Sequence, residues 1–230
     1  MFDDLHLRVL EAVAPVCRSR GVLLAGGLAM RVHGFSDRPR PGLELAVTGA
    51  AEGLAEELAA RVGATGLIVG PVAGGRVPVR DMSVTDEVPG LECAITLRTE
   101  HLRERPLDVP DRPGLPQVVG RDDAVGLAVR ALYERGLPGD LADVAGTAGG
   151  YSFRELERLA GRHSDGLPLD ELIDRLEGAD LLSDKAFPGL GADGARRVRG
   201  FARAWAEDVK LRRADDGDIP VDVSDVPAID

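Results

Sequence analysis

The stretch that decides the fold runs from residue 24 to residue 49 and reads LAGGLAMRVHGFSDRPRPGLELAVTG. The short apolar run at 22–25 predicts a buried strand, and the glycine pair Gly26–Gly27 follows it directly. Residues 28–33 have room for one or two helical turns, and the apolar residues at 43–47 predict a second strand. This order of strand, glycine pair, short helix and strand indicates an α/β domain.

The rest of the first half fits the same class. Apolar residues at three- and four-residue spacing predict amphipathic helices, and short β-branched or apolar runs between glycines predict further strands. The predicted helices cover 4–20 and 50–62, and the additional strands cover 65–72, 76–85 and 91–98. Residues 1–108 are therefore predicted to form one α/β domain.

A proline-rich stretch then separates this half from a helical one. Four prolines lie between residues 106 and 120, which excludes a regular helix or a central strand there, and we predict a linker at 109–120. Beyond it the periodicity is helical, with segments at 122–134, 139–147, 152–163, 169–176 and 192–213. We predict a helical domain over 121–213 and a disordered acidic tail over 214–230.

Composition and charge limit the possible partners. The formal net charge of −11 makes extensive nucleic-acid binding improbable, because phosphate-backbone affinity comes from many cationic contacts. No apolar run approaches the roughly 20 residues that a membrane helix needs, so we expect no membrane partner and a cytoplasmic location. The two cysteines, Cys17 and Cys93, form no CxxC motif, which disfavours a thiolate metal site. The bias toward alanine, glycine and arginine over lysine is typical of a GC-rich bacterial source.

Three stretches carry a resemblance to a known family. Residues 24–49, residues 122–144 (DDAVGLAVRALYERGLPGDLADV) and residues 151–161 (YSFRELERLAG) resemble, in that order, the AbiEii/AbiGii toxin family of nucleotidyltransferases. The resemblance covers about residues 5–212. It implies an α+β fold, with a nucleotidyltransferase-like mixed β-sheet flanked by helices and followed by a C-terminal helical domain, and a toxin–antitoxin context.

The resemblance also implies the chemistry of the site. Nucleotidyl transfer uses divalent cations such as Mg²⁺, which prefer carboxylate oxygens, and two acids at i and i+2 on a strand share one face. Glycines let backbone N–H groups approach phosphate, and basic side chains hold its charge. The expected nucleotide- or phosphate-binding residues are Gly26, Gly27, Arg38, Arg130 and Arg135. Asp140 and Asp143 also match the family motif, and they could contact substrate, cap a helix or pair with Arg135.

The sequence departs from the family where the metal would bind. The two strand acids align with Gly42 and Glu44, and the third acid aligns with Ala94, although Glu92 is on the same strand face. The lysine expected on the helix after the linker falls on Ala128. One carboxylate is a poor magnesium site, so a catalytically degenerate protein is the simplest interpretation.

Two functions follow, and the sequence leaves both open. The first is a pseudoenzyme with the nucleotidyltransferase fold that binds a nucleotide-like small molecule or a protein partner without a cofactor. The second is an active, Mg²⁺-dependent nucleotidyltransferase, toxin-like or in specialised metabolism, with Glu44 as the catalytic residue. In that case Glu44 would bind the metal together with Glu92, or with Asp37 from the preceding loop.

Overall fold

A computed structural model describes residues 3–39, 42–74, 79–86, 92–164 and 166–215. Its first half is a mixed sheet flanked by helices, and its second half is helical, as the sequence predicts. The sheet has the strand order β1-β2-β6-β5-β3, with the short β4 also pairing with β5. The strands are β1 (Val22–Ala25), β2 (Gly42–Val47), β3 (Ile68–Val69), β4 (Ala73–Gly74), β5 (Val79–Thr85) and β6 (Glu92–Thr99).

The centre of the sheet fixes which side chains share a face. Strands β2 and β6 are parallel, whereas the other strand pairs are antiparallel. Glu44 lies opposite Thr96, and Gly42 lies opposite Ala94. Since alternate residues of a strand point to one face, Glu44 and Thr96 belong to the same side of the sheet as Gly42 and Ala94.

The three helices of the first half are α1 (Asp4–Arg20), α2 (Gly26–Val32) and α3 (Leu54–Gly63). Asp3 caps α1 by accepting a hydrogen bond from the backbone N–H of His6, and Gly21 ends the helix in the left-handed conformation. These local signals confirm the helix predicted at 4–20. The helix α2 begins at the glycine pair itself, two residues earlier than predicted.

The second half contains α4 (Arg121–Arg135), α5 (Pro138–Ala145), α6 (Phe153–Ala160), α7 (Leu169–Glu177) and α8 (Gly191–Asp215), with 3₁₀ turns at Gly178–Leu181 and Asp184–Ala186. The residues buried in the core form one hydrophobic cluster that includes both halves of the chain. None of the helices within the described ranges is long and apolar enough to cross a membrane.

The proline-rich stretch is held against the sheet. The backbone N–H of Leu24 donates to the carbonyl of Gln117 at 2.7 Å, and that of Val119 donates to the carbonyl of Leu24 at 3.0 Å. The stretch contains neither helix nor named strand, as its prolines predict. Its described contacts tie the end of β1 to the start of α4.

Several element boundaries differ from the predictions. The strand predicted at 65–72 is only Ile68–Val69, and the helix predicted from residue 50 begins at Leu54, after Gly53 in the left-handed conformation. The helix α8 continues through residues 214 and 215, so the predicted tail at 214–230 starts too early. An ion pair between Arg213 and Asp170 holds that last turn. Residues 75–78 and 216–230 lie outside the described residues.

A buried carboxylate joins the segment before the linker to the helical half. Asp123, in the first turn of α4, is fully buried, and its Oδ2 accepts hydrogen bonds from the backbone N–H groups of Arg103 at 2.9 Å and Glu104 at 2.8 Å. The Nε2 atom of His163 lies 3.2 Å from Asp123 Oδ1. Burial lowers the pKa of His163. Asp123 thus serves as the acceptor for two backbone donors from another part of the chain.

We predict that Asp123→Ala lowers the free energy of unfolding by about 2–3 kcal/mol, because two backbone N–H groups lose their acceptor and the buried His163 ring loses the carboxylate that faces it. Urea denaturation followed by circular dichroism measures this. The matched control is Asp174→Ala, at an exposed position of α7, which we expect to stay within about 0.5 kcal/mol of the wild type. Equal losses in the two variants would contradict the anchoring role of Asp123.

Candidate functional site

A cavity of about 470 Å³ lies between one face of the sheet and the helices α4 and α5. This volume falls in the range of small-molecule sites in proteins. Its floor comes from β2 and β6, and its rim comes from the start of α2, the loop before β2, and the residues after the second 3₁₀ turn. The charged groups that line it are Arg38, Glu44, Arg98, Glu100, Arg130, Arg135, Asp140 and Asp143.

The first glycine of the pair lies directly against the side chain of Glu44. Gly26 has a φ of +57°, and a Cβ there would lie 2.5 Å from both Cδ and Oε2 of Glu44. A side chain at residue 26 is thus excluded by conformation and by space. Ala25, the residue before it, is paired with Glu44 across β1 and β2. The carboxylate of Glu44 consequently packs against the backbone at the start of α2.

Arg135 at the end of α4 is held by two acids. Its Nη2 and Nε donate to the two carboxylate oxygens of Asp140, at 2.6 and 3.2 Å, and its Nη1 lies 3.5 Å from Oε1 of Glu44. Burial acts to lower the pKa of Arg135, but the hydrogen bonds that it donates to Asp140 and the charge of Glu44 outweigh this effect, and the pKa is raised. The guanidinium therefore stays charged, with one edge on Asp140 and the other toward Glu44.

Asp140 also shapes the turn that carries Arg135. Its Oδ2 accepts a hydrogen bond from the backbone N–H of Leu137, the residue before α5, at 3.3 Å. The same carboxylate thus caps α5 and binds Arg135, which are two of the three roles that the sequence left open for it. A glycine at Gly136, in the left-handed conformation, ends α4 and turns the chain toward this contact.

Arg130 lines the cavity, but its guanidinium is already paired with a carboxylate. Both of its Nη atoms donate to the carboxylate of Glu100, and Nη1 also donates to the backbone carbonyl of His163 at 3.0 Å. Desolvation acts to lower the pKa of Arg130, and the hydrogen bond and charge of Glu100 reverse that effect and raise it. On the neighbouring strand, Arg98 donates to Glu134 at 3.0 Å.

Arg38 reaches the cavity from the loop before β2. Its Nη2 lies 3.6 Å from Oδ2 of Asp143, and both side chains are largely buried. The guanidinium lies over Gly139, where a Cβ would come within 2.5 Å of Nη2. Arg38 thus fills space that a side chain at residue 139 would need.

The structure brings most of the predicted residues to one cavity. Those that line it are Gly26, Gly27, Arg38, Glu44, Arg130, Arg135, Asp140 and Asp143. Glu92 is not among them: it is exposed at the start of β6, four residues from Thr96, which lies opposite Glu44. Four residues of strand span about 13 Å, so Glu92 and Glu44 do not converge. Asp37 also lies outside the cavity lining.

The residues at the positions where the family has its strand acids do not fit a catalytic magnesium site. Gly42 and Ala94 supply no side-chain oxygen, and a Cβ at residue 42 would lie 2.3 Å from the carbonyl oxygen of Ala94. Glu44 faces the guanidinium of Arg135. Within the described ranges, no group of three or more His, Cys, Asp or Glu side chains could hold a metal ion. Mg²⁺ prefers near-octahedral oxygen coordination, which one carboxylate does not provide.

Other cavity residues were not singled out from the sequence. Thr96 and Arg98 share the strand face of Ala94, so the alternation along β6 contains the signal for them, and Glu100 follows that strand directly. Ala186 and Pro188 reach the rim from the far end of the helical half, and no local pattern indicates this position.

Comparison with solved structures identifies the class of fold. JHP933 from Helicobacter pylori superposes with a TM-score of 0.53 at 13% identity, covering 93% of this chain and 94% of that one. MenT4, a nucleotidyltransferase toxin from Mycobacterium tuberculosis, gives a TM-score of 0.52 at 17% identity, covering 91% of this chain and 90% of its own. The sequence matches no protein-family model and no curated protein. The chain thus shares its fold with these structures, one of which is a nucleotidyltransferase.

We predict that Gly42→Ala lowers the free energy of unfolding by about 1–3 kcal/mol, because the added Cβ meets the backbone of Ala94 and forces the strands to shift. Chemical denaturation measures the change. The control is Gly114→Ala, where a Cβ meets no described atom within 4 Å and we expect at most a small gain in stability. A neutral Gly42→Ala variant would show that the position can accept a side chain.

Proposed function

We propose that this chain is a nucleotidyltransferase-fold protein, a divergent relative of the AbiEii-type toxins, that has lost the catalytic metal site and acts by binding. Its ligand is a nucleotide-like small molecule that carries phosphate and occupies the cavity between the sheet and α4–α5. The binding requires no Mg²⁺. The residues proposed to bind it are Gly26, Gly27, Arg38 and Arg135.

One contact carries this proposal: the ion pair between Glu44 and Arg135. Glu44 is the acid that the family pattern retains on β2, and a guanidinium rather than a second carboxylate faces it. A cation supplied by the protein neutralises an acid without requiring a metal, and it can also donate hydrogen bonds to a phosphate. The pair therefore supports anion binding at this position better than metal binding.

The surroundings of the pair support a bound small molecule. The cavity combines an apolar wall, which includes Leu127, Ala131 and Pro138, with arginines fixed by carboxylates. Sites for small ligands commonly join an apolar lining to a few oriented polar groups. Arg130 has the weakest claim to contact phosphate, since its Nη atoms are already bound to Glu100 and to the carbonyl of His163.

We predict that the protein binds nucleotides equally well with magnesium and with EDTA. Isothermal titration calorimetry with the mono- and triphosphates of adenosine, guanosine, cytidine and uridine measures this. Binding that strictly requires Mg²⁺, or transfer of labelled nucleotide to an acceptor that Glu44→Gln abolishes, would contradict the proposal and favour the active enzyme.

We further predict that Arg135→Gln weakens nucleotide binding about tenfold or more, since a charge-assisted hydrogen bond contributes about 1.5–3 kcal/mol. The control is Arg196→Gln, which removes the same charge from an exposed position of α8, and we expect its affinity to be unchanged. Both variants are checked by circular dichroism for native helix content. Equal affinities for the two variants would remove Arg135 from the site.

A further inference from the structure

The carboxylate of Glu44 lies where the ligand's anion would be expected. It packs against the backbone of Gly26 on one side, and it faces the Nη1 edge of Arg135 on the other. These are two of the groups proposed above to bind phosphate. The other edge of Arg135, with Nε and Nη2, is already bound by Asp140. Nη1 is consequently the edge through which Arg135 can bind an incoming anion.

We infer that Glu44 is an internal competitor for the anion subsite of the cavity, and that the ligand displaces it with a single phosphate group. This inference rests on the proposed function. At 3.5 Å the contact between Arg135 and Glu44 is long for a charge-assisted hydrogen bond, whereas the contact of Arg135 with Asp140 is 2.6 Å. The Glu44 side chain is also 34% exposed. It can therefore turn toward solvent while Asp140 keeps the guanidinium in place.

The charge of the cavity favours one phosphate over three. Among the described residues, four arginines and four carboxylates line it, so the lining has no net charge. Each of the arginines faces at least one acid, and the pairs are Arg38–Asp143, Arg98–Glu134, Arg130–Glu100 and Arg135 with Glu44 and Asp140. A triphosphate brings several negative charges, which metal ions neutralise in metal-dependent enzymes. The lining offers no surplus of cations to replace those ions.

A monophosphate needs no surplus cation, because its phosphate can take the place of one carboxylate of the lining. When its phosphate replaces the Glu44 carboxylate on Nη1, the other three arginines keep their partners. The released carboxylate moves into water, where its charge is solvated at little cost. The ligand class is thus a phosphate monoester, and a nucleoside monophosphate and free inorganic phosphate are its two sources.

The test compares wild type with Glu44→Gln in EDTA by isothermal titration calorimetry. The probes are inorganic phosphate and the mono- and triphosphates of the four ribonucleosides. We expect Glu44→Gln to bind monophosphates about tenfold more tightly, the factor that corresponds to 1.4 kcal/mol of removed competition. Tighter binding of one nucleoside monophosphate than of phosphate identifies the nucleotide as the source, and equal binding identifies the phosphate group alone.

Two further variants separate this effect from a general change of charge. Glu207→Gln removes the same charge from an exposed position of α8, outside the cavity lining, and leaves the affinity unchanged. Arg135→Lys keeps the positive charge, but its single ammonium group cannot bind Asp140 and a phosphate through two separate edges. We therefore expect Glu44→Gln to give no gain in affinity for monophosphates when it is combined with Arg135→Lys. Thermal unfolding confirms that each variant is folded before titration.

The outcomes distinguish this inference from the proposed function. If wild type binds nucleotides without metal but Glu44→Gln binds them equally or more weakly, Glu44 is not a competitor and the inference fails alone. Tighter binding of triphosphates than of monophosphates by the wild type also overturns it alone. If neither protein binds any probe without metal, the proposed function fails, and the inference fails with it.

Discussion

The guanidinium of Arg135 connects the two halves of the molecule at the cavity. It sits at the end of α4, holds Asp140 at the start of α5, and faces Glu44 on β2. Because Asp140 also caps α5, the orientation of Arg135 and the geometry of the turn at 136–137 depend on one carboxylate. The cleft therefore has at its edge a partly exposed cation held between two acids.

Two glycines of the cavity lie where neighbouring atoms leave no space for a side chain. At Gly42 the neighbouring carbonyl of Ala94 occupies the space of a Cβ, so a carboxylate cannot be restored there without a shift of the strand. At Gly139 the guanidinium of Arg38 occupies the corresponding space and approaches Asp143. Other atoms of the protein thus occupy the space of a side chain at both positions.

The sequence predicted what depends on local signals. The helix at 4–20 follows from its apolar spacing, and the strands that carry Glu44 and Ala94 follow from their short apolar runs. The structure places most of the candidate residues at one cavity. The pairing of Arg130 with Glu100 was not predictable, because it joins residues thirty positions apart across the sheet and α4. For the same reason Glu92 shared the right strand face yet lay too far along it.

The concentration of ion pairs around one cavity requires a reason other than stability. Removing two charges from water costs much of what their attraction returns, so buried pairs contribute little compared with apolar packing of the same volume. Arg38, Arg130 and Arg135 are each held by a carboxylate beside the same space. Fixed guanidinium groups lose less entropy when they bind an anion, and they present it with a defined geometry. The proposed recognition of a small anionic ligand would account for this arrangement, whereas core stability does not.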